Sequence, residues 1–435
     1  MNNDEFNADL IRFLARATTP FHAVAEMSAR LLAAGFTRLY EDKPWPTEPG
    51  GRYFSARNGS SIIAFISGSE CSPESGVRIV GAHTDSPCLM LKPAPELQRN
   101  GYRQLGVQVY GGALLNPWFD RDLSLAGRVT YADMDGGLRS ALIDYRRPVA
   151  VIPSLAIHLD REANASRSVN AQSDIVPLLG MASDSDDFDL RAMLRERLQA
   201  EHGDIRVASV LDYELNFYDT QPPALVGLEQ EFIASARLDN LLSCYTAMQA
   251  LLQANGTMSS LLVCNDHEEV GSQSAAGAQG PFLRSVLRRL AGSEQSYTCL
   301  TERSMVISAD NAHGLHPNFP DKHDEKHGPL LNGGPVIKVN ASQRYASNSE
   351  TSGFFRQLCA GAGVAVQSFV VRNDMACGST IGPITAGATG IRTLDVGVPT
   401  FAMHSVRELA GARDAQSLAS VLQRFYDHPG PLAAG

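Results

Sequence analysis

RIVGAHTDSP (78–87) sets an apolar run, Ile79 to Ala82, against an abrupt polar stop at His83, Thr84 and Asp85. Four further segments repeat the arrangement: EFIASARLDN (231–240), SLLVCNDHEEVGS (260–272), SMVISADNAHG (304–314) and VPTFAMHSVRE (398–408). Four of the five runs read as buried strands that stop where the polar residue begins. The stops supply His83, Asp239, Glu268 and Glu269, Asp310 and His404. In an open α/β sheet the carboxyl ends of strands converge on one crevice, so residues this far apart in sequence are expected to meet.

On the N-terminal side, Phe6, Leu10, Phe13, Leu14 and Ala17 recur at helical spacing over 4–17, and Pro20 prevents that helix from running on. A second helix over 22–34 ends at Gly35, and strands follow at 61–66 and 77–82. From about 93 the texture changes to short β-like runs broken by Gly and Pro: LGVQVYGG (105–112), LAGRVTY (125–131) and RRPVAVIPSLAIHL (146–159). The acid-rich stretch 182–190 reads as an exposed loop. Helical periodicity returns in NLLSCYTAMQALLQ (240–253), and strands then alternate with helices to the end. This predicts an α/β fold, a mixed, mostly parallel sheet flanked by helices, built from 1–92 and 231–435 and interrupted by a β-rich insert at 93–230.

Composition narrows the function. A chain of 435 residues exceeds what one core usually serves, so two domains are expected. A net charge of -10 offers no basic stripe for a phosphate backbone, which argues against nucleic-acid binding. No run of eighteen apolar residues is present, so no membrane-spanning helix is predicted. The N-terminus carries acids where a signal peptide carries bases, and the seven cysteines form no CxxC pair; both point to a cytoplasmic protein with reduced thiols.

Each polar stop has an ordinary structural reading, since a histidine at a strand end is commonly just hydrogen-bonded and Asp239 reads as a helix N-cap. Glu268 and Glu269 are more specific, because adjacent carboxylates carry a repulsion that a cation relieves. As a set, two histidines and three carboxylates without thiolate fit two zinc ions, with cobalt or manganese as substitutes. Paired ions need a bridging ligand, and a carboxylate such as Asp239 can bridge. Asp85 is placed to orient the His83 imidazole through its second N–H. His313, His316, His323 and His327 form a second group in a polar context and read as a structural or substrate-rim loop.

GAHTDSP, ARLDN, NDHEEVGSQS, SADNAHGLHPN, GPVIKVNASQRYASNS, RNDMACGSTIGPI and AMHSVRE, with IPSLAIHLDR in the insert, together resemble the aspartyl aminopeptidase family of di-zinc exopeptidases. The resemblance implies a zinc-exopeptidase catalytic domain with an inserted dimerisation domain, and homodimers assembling into tetrahedral dodecamers. It implies that Asp239 bridges the ions, that His83 with Asp310 or Glu269 completes one shell, and that His404 belongs to the other. Glu268 would be the general base, and His158 would enter a neighbouring subunit's active site to stabilise the oxyanion. Lys338 and Tyr345 would line the substrate pocket, the lysine pairing with an acidic N-terminal side chain. The activity implied is removal of the first residue, preferentially Asp or Glu, from peptides with a free N-terminus. Alternatives are another di-zinc amide hydrolase, a deacylase or dipeptidase, or a non-catalytic assembly or cargo-binding particle.

Overall fold

The computed structural model describes residues 2–69, 75–182, 188–430 and 432. The chain opens with α1 (Asn3–Arg16), α2 (Pro20–Ala33), β1 (Thr37–Arg38), β2 (Arg52–Arg57), β3 (Ser61–Ile66) and β4 (Arg78–His83). Next come β5 (Cys88–Arg99), β6 (Tyr102–Tyr110), β7 (Leu123–Asp133), β8 (Leu138–Asp144), β9 (Leu178–Met181), α3 (Leu190–Glu201) and β10 (Val207–Asp219). Then follow β11 (Ala224–Val226), β12 (Phe232–Ser235), α4 (Leu238–Gln253), β13 (Ser260–Asn265), α5 (Phe282–Ala291), α6 (Glu294–Glu302), β14 (Met305–Ala309) and β15 (Ala312–His313). The chain finishes with β16 (Val336–Lys338), α7 (Ser349–Ala362), β17 (Gln367–Phe369), α8 (Ile381–Thr389), β18 (Arg392–Gly397), β19 (Pro399–Phe401), β20 (Glu408–Gly411) and α9 (Asp414–Tyr426).

These elements form two compact units, one of residues 1–85, 223–403 and 408–435, the other of 86–222 and 404–407. The first holds a nine-stranded sheet in the order β1-β2-β3-β13-β4-β14-β18-β16-β17 and a five-stranded sheet in the order β11-β12-β20-β19-β15. In the larger sheet β13, β4, β14 and β18 run parallel, while β3 and β16 flank them antiparallel. The α/β fold with a mixed, mostly parallel sheet is therefore as expected.

Both faces of that sheet are covered, which explains its unbroken apolar runs. Ile62, Ala64, Val80, Ala82, Leu262 and Ile307 pack into one core with α1, α2, α4, α7 and α9. The alternate residues Ile63, Phe65, Ile79, Leu261 and Val306 pack with α5 and α6. In α1 an Asn2–Glu5 capping box precedes the buried stripe Phe6, Leu10, Phe13 and Leu14. Pro20 does more than stop α1: it is the first residue of α2, behind the Thr19 N-cap, where a missing N–H costs nothing.

The second unit is a six-stranded antiparallel sheet, β8-β7-β10-β5-β6-β9, with α3 among its core elements. It begins at Ser86 rather than 93, because β5 is continuous from Cys88 to Arg99, and it gives way to the first unit at Pro223. RRPVAVIPSLAIHL is not a strand. Pro148 and Pro153 lack the N–H a ladder needs, and only Ala150 and Val151 make isolated bridges. His158 lies on an exposed turn there beside exposed Leu155, Ile157 and Leu159. Of the acid-rich stretch 182–190, residues 183–187 lie outside the described residues; Asp189 caps α3 by accepting the Ala192 N–H. Among the described residues no helix is long and apolar enough to cross a membrane, and six cysteines are free thiols.

Candidate metal centre

Three neighbouring parallel strands, β13, β4 and β14, deliver the first donors, since each ends where its apolar run stops. His83 is the last residue of β4, Asp310 follows β14, and Glu268 and Glu269 follow β13 after a turn. That turn is a single 3-10 turn between His267 and Gly271, both in the left-handed region. The other two residues come from elsewhere than one sheet predicts. Asp239 follows β12 and His404 follows β19, both strands of the five-stranded sheet.

His83 is buried, and its Nε2 lies 3.3 Å from Asp239 Oδ1, 3.5 Å from Asp310 Oδ1 and 4.0 Å from Glu268 Oε2. Its Nδ1 lies 3.0 Å from the Asp85 carbonyl oxygen and 3.4 Å from the Asp85 carboxylate, so the orienting partner is mainly the backbone of Asp85. The carboxylate is engaged elsewhere, with Oδ1 accepting the Glu268 N–H at 3.1 Å and Oδ2 the Glu269 N–H at 3.0 Å. Asp85, fully buried, thus holds the turn that carries both glutamates.

Other buried groups fix the remaining donors. The Asp239 N–H donates to Glu408 Oε2 at 2.8 Å. Lys338, 2% exposed, donates to Asp310 Oδ2 and to the Asn311 carbonyl, each at 3.0 Å, and its ammonium sits 5.0 Å from the Tyr345 ring centre. Cys244 Sγ donates to the His83 carbonyl at 3.0 Å. Gly397 is needed where β18 passes, because a Cβ there would lie 2.0 Å from the Asp310 carbonyl oxygen. His404 Nδ1 lies 3.1 Å from the Gly112 carbonyl, leaving Nε2 as the ring nitrogen suited to a metal.

Three donor groups have ligand atoms within 4.8 Å of one another: His83, Asp239 and Asp310; Asp239, Glu269 and His404; and His83, Glu268 and Glu269. Donors on one tetrahedral zinc, with bonds of about 2.0–2.2 Å, lie roughly 3.3–3.6 Å apart. The 3.3 and 3.5 Å separations around His83 Nε2 match that, and the donors are imidazole and carboxylate, so the residues fit zinc. His158 is in none of these groups.

The charges concentrate carboxylates around one buried imidazole, an arrangement that a cation would neutralise. Burial alone would lower the His83 pKa, yet Asp239, Asp310 and Asp85 hold it well above the usual histidine range. Burial pushes Glu268 up to about 7; His83 opposes this, and Asp310, Asp239 and Asp85 add to it. Lys338 is held protonated by Asp310 against its own burial, and burial raises the Tyr345 phenol. In the second histidine group, His327 Nδ1 lies 2.6 Å from Asp324 Oδ1, and His316 packs on Phe319 and Phe401. Among the described residues none of its members joins a metal-binding group.

Glu408 is a residue of the centre that sequence reasoning misses. Its only signal there is a carboxylate opening the short run ELAG, four positions after His404.

The family signature described as Aminopeptidase I zinc metalloprotease (M18) matches residues 13–426. A probable M18 family aminopeptidase 2 from Ectopseudomonas mendocina (strain ymp) is 60% identical over 426 residues, covering 98% of this chain and 99% of its own. A chain in the cryo-EM structure of the Ape4 and Nbr1 complex superposes with a TM-score of 0.95 at 39% identity, over 98% of this chain and 86% of that one. The structure of the S. cerevisiae mApe1 dodecamer gives 0.84 at 27% identity, over 99% and 98%.

Proposed function

The chain belongs to the M18 family of zinc aminopeptidases, and on that premise we propose that it removes the N-terminal residue of peptides, with a preference for aspartate and glutamate. The observation that carries the reading is a pair of donor sets sharing Asp239; Glu268 is in neither and belongs to the third group, with His83 and Glu269. In this reading His83, Asp239 and Asp310 hold one zinc, and Asp239, Glu269 and His404 hold the other. Zinc held there would supply acidification of water and polarisation of a carbonyl.

Glu268 does the proton work. It takes a proton from the attacking water as the oxygen adds to the carbonyl carbon, then returns it to the nitrogen as the C–N bond breaks. Asp85 positions it through the backbone N–H of the same turn. Kinetics on matched peptides with free and acyl-blocked N-termini test the class: turnover of the free series alone supports an aminopeptidase, and turnover of the blocked series makes it a deacylase.

The acidic preference rests on Lys338, whose ammonium has one N–H beyond the two given to Asp310 and Asn311. Lys338→Ala should lower kcat/KM for substrates beginning with Asp by about 10–100-fold, the worth of one charge-assisted hydrogen bond, and less for substrates beginning with Leu. Equal losses on both would leave the lysine a partner of Asp310 alone.

The inserted unit is read as a dimerisation domain, with dimers building dodecamers in the cytoplasm; the dodecamer of mApe1 supports this assembly. The exposed apolar turn around His158 suits a surface covered by a second copy. His158 would then reach the partner's site and stabilise the oxyanion. His158→Ala should lower kcat by about 10²–10³-fold, as for loss of an oxyanion donor, with zinc content unchanged. A monomeric variant with full activity would exclude action across subunits.

A further inference from the structure

We propose that Glu408 is a positioning residue of the metal centre, fixing Asp239 in place through its backbone. Glu408 opens β20 and is 2% exposed, so its carboxylate is held away from bulk water. In the antiparallel pairing of β12 with β20 it stands opposite Ser235, the last residue before the turn that leads to Asp239. From there its Oε2 crosses the turn and accepts the Asp239 N–H at 2.8 Å.

That N–H needs such a partner. It belongs to the first turn of α4, whose leading N–H groups have no acceptor within the helix. Arg237, in the N-cap position, gives no side-chain cap and has a left-handed backbone, with φ of 59°. Its guanidinium turns instead to the end of α1, donating to the Ala17 carbonyl at 3.0 Å and the Leu14 carbonyl at 3.4 Å. Asp239 itself departs from helical geometry, at φ -81° and ψ 106°. The residue shared by two donor sets therefore sits on non-helical backbone held from two sides, by Arg237 toward α1 and by Glu408 toward β20. A shift of that backbone moves Asp239 Oδ1 away from its place 3.3 Å from His83 Nε2.

A plain helix cap would stabilise the metal-free fold and leave zinc affinity alone; a positioning residue changes zinc affinity. The inference rests on the reading that Asp239 is a zinc ligand. Three variants of the full chain separate the possibilities. E408Q loses the charge and keeps an oxygen at the same reach. E408D keeps the charge and loses about 1.5 Å of reach. E408A loses both.

The probe is zinc alone, titrated into metal-stripped protein against a chromogenic chelator, with thermal melting of the same metal-stripped samples. E408D and E408A should bind zinc about 10–100-fold more weakly, as for loss of an outer partner of a metal ligand, and E408Q should bind close to wild type. The proposal is overturned if E408D binds like wild type while its melting temperature falls, or if E408Q loses as much affinity as E408D. If E408A does not fold, the E408D and E408Q pair decides. Asp239→Ala serves as control: should it still bind two zinc ions, the reading of the centre fails, rather than the Glu408 contact alone.

Discussion

Glu268→Gln should keep both zinc ions and lose turnover by about 10²–10⁴-fold, the usual worth of a positioned base. The amide has the size of the carboxylate, and the turn that carries it is fastened by backbone, with the N–H groups of residues 268 and 269 donating to Asp85. Neither bond depends on the glutamate side chain, so the site geometry survives. What disappears is the capacity to accept a proton. Glu268 is absent from the two donor sets that share Asp239, and Gln keeps an oxygen at the same reach toward the third group, with His83 and Glu269, so zinc content and KM should change little. The check is kcat and KM alongside zinc per chain in the same preparation. Near-normal kcat at full zinc content removes Glu268 as the base, and loss of one zinc makes it a ligand instead.

Half of this centre was legible because its chemistry coincides with strand ends. Ile79–Ala82, Leu261–Cys264 and Val306–Ala309 are apolar on both faces, which only a strand covered by helices on each side explains. The polar residue that ends each run must then lie at the sheet's carboxyl edge. His83, Asp310 and the 268–269 turn follow from that rule. Asp239 and His404 stand out as candidates in the sequence, but they do not come from the edge of that one sheet. Phe232–Ser235 and Pro399–Phe401 are too short for their pairing to be read locally, and they belong to a second sheet.

Second partners were the least visible. Lys338 looks in sequence like a lysine at a strand edge, and only the fold brings its ammonium to Asp310, 28 positions away. Glu408 reaches Asp239 across 169 positions, through a pairing of two four-residue strands. The misread insert segment shows the opposite failure. Val149–Ile152 and Leu155–Leu159 have a strand's composition, but the prolines break the ladder and leave the side chains of 155, 157 and 159 outside. Apolar residues on a turn signal a covered surface as readily as a strand.

Asp239→Ala should release both zinc ions, whereas Asp310→Ala and His404→Ala should each release one. The difference follows from membership: Asp239 belongs to both the set with His83 and Asp310 and the set with Glu269 and His404, while Asp310 and His404 belong to one each. Activity of Asp239→Ala should fall to that of metal-stripped wild type and stay there when zinc is restored, because each of the two sets that share Asp239 is then left with two donors. Folding should be retained. The substitution leaves the backbone N–H bonded to Glu408, and removing one of several crowded carboxylates relieves repulsion in the metal-free protein. Zinc per chain after dialysis against a limiting chelator, with circular dichroism melting as the fold control, separates the cases. If Asp239→Ala retains one tightly held zinc per chain, the ions are bound by independent donor sets, and the shared carboxylate that makes this a two-metal hydrolase site is elsewhere.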